Sequence, residues 1–154
     1  MNVLMYEWPS FTGDSMRKIF KKYNIHVDTF YYYPLASLEE DDIFVDTFEK
    51  KISGGSYDYV FSVNYIPVVA IACYHQNIPY VSWSYDNPLN IAHIENTLYF
   101  PTNFVFLFDK SQAAGYISQG FEHIWHLPLA ADTDYYDAFK PSAKEWSKYK
   151  SQIS

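Results

Sequence analysis

Residues 59–84 read YVFSVNYIPVVAIACYHQNIPYVSWS. Residues 59–63 are aromatic and β-branched around one serine, the composition of a buried strand. Residues 66–75 form an apolar run of helical length, with Pro67 in the first turn, where its missing N–H is tolerated. Residues 79–82 return to strand character. A strand, a covering helix and a second strand in this order require a right-handed crossover and parallel pairing. Working outward, residues 3–6, 26–32, 104–108 and 124–127 read as further strands. A helix from Asp14 or Ser15 to Tyr23 places Met16, Ile19, Phe20 and Tyr23 on one face. Residues 43–52 form another helix, ended by Gly54-Gly55. A helix over residues 111–118, stopped near Gly120, joins the last two strands. The expected fold is α/β: a Rossmann-like three-layer αβα domain with a parallel sheet.

The 154 residues suit one domain. Hydrophobic residues at 49% and charged residues at 19% argue against disorder. The 16 tyrosines and 12 phenylalanines exceed ordinary usage. Such a surplus fits either sugar-stacking and interface surface or an aromatic-rich core. A net charge of −7 without a basic stripe argues against a nucleic-acid binder. Cys73 is the only cysteine, so no internal disulfide is expected and a reducing compartment is the default. The start MNVLMYEWPS lacks leader character and no apolar run reaches membrane-spanning length, so a soluble, cytoplasmic protein is expected. At residues 132–141, DTDYYDAFKP loses the strand rhythm and reads as a hinge. Ser142 then caps a helix with Trp146, Tyr149 and Ile153 along one side. The expected division is a domain over residues 1–132, then a hinge and linker helix over 133–154.

Ligands of an open parallel sheet bind beyond the carboxyl ends of its strands. The first such loop holds Glu7, Trp8, Phe11 and Gly13; the third holds Asn64 and Tyr65. The fourth holds Trp83, Tyr85, Asp86 and Asn87, and the fifth Asp109 and Lys110. Carboxylates, amides and aromatic planes gathered along one edge suit a polyhydroxylated ligand. Sharper motifs are missing. The first turn lacks G-x-G-x-x-G, no Walker A sequence occurs, and Asn64 replaces the carboxylate that a phospho-receiver needs. His123 and His126 stand three apart on a strand, pointing to opposite faces, so no metal site is expected. Asp132-Thr133-Asp134 spells D-x-D but falls in the hinge. Glu39 to Asp42 is a charge run that suits a solvated helix start. Asp86 is the candidate general base for deprotonating an acceptor hydroxyl, with Glu7 second. Asp86 also fits an Asx-turn or helix N-cap before Pro88.

The stretches NVLMYEWPSFTG (2–13), YDYVFSVNYIPVVAIACYHQNIPYVSWSYDNPLN (57–90) and YFPTNFVFLFDKSQAAGYISQGFEHIWHLPLAAD (99–132) resemble the N-terminal domain of CgeB-like spore-maturation glycosyltransferases. Trp83, Asp86 and Pro88 match that family's W-x-x-D-x-P pattern, and Tyr6-Glu7 its first-loop pattern. The resemblance implies the N-terminal half of a bacterial GT-B enzyme. This half would grip a sugar or glycan acceptor and bind no cofactor itself. The nucleotide-sugar donor would sit mainly on a C-terminal domain that follows. The alternatives are a stand-alone, non-catalytic binding or scaffolding module and, from fold analogy alone, a small-molecule sensor.

Overall fold

The computed structural model describes residues 1–10, 12–31, 37 and 39–151. Phe11 of the first loop, Tyr32 at the expected end of the second strand, and Ile153 of the last helix lie outside the described residues. Six strands run β1 (Asn2–Glu7), β2 (His26–Tyr31), β3 (Tyr59–Val63), β4 (Tyr80–Ser84), β5 (Asn103–Leu107) and β6 (Ile124–His126). All neighbouring pairs are parallel, in the order β2-β1-β3-β4-β5-β6. Helices α1 (Gly13–Lys22), α2 (Asp42–Ser53), α3 (Pro67–His75) and α5 (Lys110–Ser118) make the crossovers, and a short α4 (Glu95–Leu98) precedes β5. This is a Rossmann-like three-layer α/β fold.

Period-two alternation divides the core between the two faces of the sheet. Leu4, Tyr6, Val60, Tyr80, Val105 and Ile124 point to one face, under α2, α3 and α5. Helix α2 contributes Phe44, Phe48 and Ile52, four residues apart and all buried. Asp41 caps it, accepting from the Phe44 N–H at 2.8 Å. Val3, Met5, Phe61 and Val63 point to the other face, packed on Phe20 of α1. Further along that face, in-register Phe106 and Trp125 stack at 5.5 Å, and Phe104 and Trp125 at 5.9 Å. Phe104 and Trp125 stay 37% and 39% exposed, so the aromatic surplus serves both core and surface.

Buried polar groups fix the helix starts. The Tyr80 hydroxyl meets Ser62 Oγ at 2.6 Å and accepts from the Ile66 N–H at 3.0 Å. Asn103 Nδ2 at the start of β5 donates to the Thr97 carbonyl at 2.8 Å and to the Tyr65 hydroxyl at 3.2 Å, tying α4 to the turn before α3. Burial pushes the Tyr80 phenol and the Cys73 thiol well up from their ordinary pKa values. Cys73 is fully buried on α3, as its apolar neighbours predict.

Two differences from the sequence reading bear on the site and on the segment after β6. Strand β4 runs on to Ser84, carrying Trp83 inside the strand. The polar stretch expected to be a hinge forms α6 (Thr133–Ala138), because Asp132 accepts from the Tyr135 N–H and caps it. Asp132 also accepts from Ser15 Oγ at 2.7 Å, tying this segment to α1. Within the acidic run, Asp41 caps α2, while Glu39 accepts from the Ala92 N–H at 3.1 Å and the Ser37 hydroxyl at 2.6 Å. Those bonds, the Ser37 one foremost, hold the Glu39 carboxyl below its usual range. Helix α7 (Ala143–Tyr149) follows, opened by the expected Ser142 cap as part of a capping box with Glu145. No helix among the described residues is long and apolar enough to cross a membrane.

Candidate functional site

Adjacent strands β1, β3 and β4 deliver their following loops to one place. Trp8 leaves β1 and donates from its indole N–H to the Val63 carbonyl at 2.8 Å, which fixes the ring over the end of β3. The indole also stacks on Tyr85, centroids 6.4 Å apart and planes 27° from parallel. Asn64 ends β3 in the left-handed region, at φ 63°. Asparagine tolerates that conformation better than other residues with a Cβ. Its backbone N–H donates to the Trp83 carbonyl, and its side-chain carbonyl accepts from the Tyr85 N–H, both at 3.0 Å. Its amide nitrogen donates to Asp86 Oδ2 at 2.7 Å. Asp86 is exposed, and one of its oxygens is thereby aimed by the neighbouring strand.

These groups border a cavity of about 510 Å³, whose lining includes Trp8, Asn64, Tyr65, Asp86, Asn87 and Leu89. Leu89 and Ile91 are the apolar contribution of the loop after β4, which turns back over the sheet edge through a cis Asn87-Pro88 bond. Planar aromatic surface, amides and one carboxylate around an apolar floor can hold the faces and hydroxyls of a sugar ring.

Five of the eleven sequence candidates therefore line one cavity: Trp8, Asn64, Tyr65, Asp86 and Asn87. Tyr85 backs Trp8 from outside the lining. Glu7 lies apart, ion-paired with Arg17, which also reaches Asp14 at 2.6 Å. Gly13 serves that pair: a Cβ there would collide with Glu7 Oε1. Trp83 points to the opposite face of the sheet and donates to the Leu127 carbonyl at 3.2 Å. Asp109 caps α5, accepting from the Gln112 N–H at 2.7 Å, and borders a neighbouring open hollow of about 400 Å³ that also touches Asn87. Lys110 is exposed and lines neither space. Sequence reasoning missed Leu89, Asn90 and Ile91; the signal was two aliphatic residues inside an otherwise polar loop. Among the described residues, no group of three His, Cys, Asp or Glu could hold a metal ion.

Asn64→Ala should lower stability by about 2 kcal/mol, since it puts a Cβ-bearing residue without a polar side chain at positive φ and deletes two hydrogen bonds. Asn64→Gly keeps the backbone permitted and should cost less. Equal urea midpoints for the two variants would refute this account of the turn.

The chain matches no known protein-family model, and a search of curated proteins finds no significant relative. The fold and cavity define it as a Rossmann-like α/β domain with a candidate ligand site at the carboxyl edge of its sheet.

Proposed function

We propose that this chain is the acceptor-side, N-terminal half of a GT-B glycosyltransferase of the CgeB-like kind. In this reading it works in the cytoplasm, and the nucleotide-sugar donor sits on a second, C-terminal lobe. The observation that carries the reading is the cavity where Trp8, Asn64 and Asp86 converge from three adjacent strands. A fixed aromatic plane, hydrogen-bonding amides and one oriented carboxylate are the groups that binding and deprotonating a sugar hydroxyl require. Trp146 and Tyr149 on α7 are 61% and 70% exposed, the outcome expected of a linker helix that meets a partner lobe. Asp86 deprotonates the acceptor hydroxyl in this mechanism, with Asn64 aiming its carboxylate.

The second reading, a non-catalytic binding module, is favoured by the hydrogen bond that engages Asp86 with Asn64. A transfer assay separates the two. Nucleotide sugars are screened for hydrolysis, transfer and thermal shift with this chain alone and with the chain extended through the donor-binding lobe. The chain alone should not turn over, and the extended protein should respond to at least one donor. A silent extended protein would overturn the enzymatic reading.

A further inference from the structure

The carboxyl edge of a parallel α/β sheet is where phosphate groups usually bind, because helix N-termini present unpaired N–H groups and a positive dipole end there. In this chain the four crossover helices begin at that edge, and side-chain carboxylates cap α2 and α5. At α1 no side chain caps the first turn, but two carboxylates stand beside it, Glu7 against Gly13 and Asp14 within the turn. At α2, Asp41 takes the Phe44 N–H at 2.8 Å. At α5, Asp109 takes the Gln112 N–H at 2.7 Å. The start of α3, which borders the cavity, is closed differently. The Tyr65 N–H donates to Ser84 Oγ and the Ile66 N–H to the Tyr80 hydroxyl, both at 3.0 Å, and Pro67 has no N–H to give.

Among the described residues, the cavity lining holds no cation. Asp86 is the one charged side chain among its lining residues, and its sign opposes a phosphate. Arg17, the cation of the first loop region, is already claimed by Glu7 and Asp14. The remaining polar lining is neutral, chiefly the side-chain amides of Asn64, Asn87 and Asn90. Phosphate recognition ordinarily uses Arg or Lys forks or free backbone N–H groups. Among the described residues, the cavity lining supplies no Arg or Lys fork.

We infer that this cavity takes an uncharged sugar ring and discriminates against phosphorylated ones. The inference rests on the sugar-binding reading above and narrows its acceptor to neutral glycosides or the neutral end of a glycan.

The test is a titration of the isotope-labelled chain followed by amide and indole NMR signals. The probes are methyl glucoside, methyl galactoside and methyl N-acetylglucosaminide, then hexose 6-phosphates, then inorganic phosphate. At least one neutral glycoside should give saturable shifts at the Trp8 indole and at the amides of Asn64, Tyr65 and Asn87. The matching hexose phosphate should bind about 10-fold or more weakly, and inorganic phosphate should leave those signals in place. A phosphorylated sugar that binds as well as its neutral counterpart would overturn the inference while leaving the sugar site standing. Cavity shifts from inorganic phosphate, or no shifts from any neutral glycoside, would overturn it too. The transfer assay reads the donor reaction and this titration the charge of the acceptor, so the two readings fail independently.

Discussion

Under the glycosyltransferase reading proposed above, sugar transfer by the extended protein is expected to fall about 100-fold or more in Asp86→Asn, the low end of what a positioned general base contributes. Asparagine preserves the shape of the aspartate and keeps a carbonyl oxygen to accept from Asn64, so the loop after β4 should hold its place. What disappears is the group able to take a proton from the acceptor hydroxyl. The expected signature is a drop in kcat with little change in KM or thermal midpoint, since the proposed site assigns acceptor binding mainly to the aromatic plane and amides. Wild-type turnover in this variant would remove Asp86 from the role. Equal loss of activity and of thermal stability would make the residue structural.

The second large effect lies in the core. Phe48 is fully buried, stacked on Phe44 at 5.3 Å, with Phe30 edge-on at 5.0 Å and Tyr6 at 6.1 Å. Truncating a buried phenylalanine to alanine removes its transfer free energy and leaves a cavity, together about 3–5 kcal/mol. For a chain of this length the thermal midpoint should drop by roughly 8–16 °C. Ile43 provides the control on the same helix: it is 73% exposed, so Ile43→Ala should stay within about 0.5 kcal/mol of wild type. Similar melting curves for the two variants would mean that α2 does not pack on the sheet as described.

Much of the fold was legible because its rules are local. The apolar runs at β1 and β3, the stripe of Phe44, Phe48 and Ile52, and Pro67 at the head of α3 each follow from a period or a backbone restriction. Helix α6 was not legible: it buries none of its residues, so no stripe announces it, and only the cap at Asp132 sets it. The site was legible in outline, since parallel strands must send their loops to one edge. Which loops meet depends on strand order. Trp8, Asn64 and Asp86 follow three neighbouring strands, whereas Asp109 follows the next strand out and falls beside an adjacent hollow. Trp83 illustrates the sensitivity of strand boundaries. Two further residues in β4 keep it in the period-two alternation, and it faces away from Ser82 and Ser84. Glu7 was unreadable for a different reason, because its partner Arg17 lies ten residues on, across the first loop and a helical turn.

The buried sulfur on α3 turns the molecule into its own opening gauge. With one thiol in 154 residues, fully covered and kept protonated by its surroundings, alkylation has a single target. Modification must wait for α3 to part from the sheet, so the labelling rate under native conditions counts those excursions. Adding a glycoside to the same reaction then weighs how firmly an occupied cavity holds that helix in place.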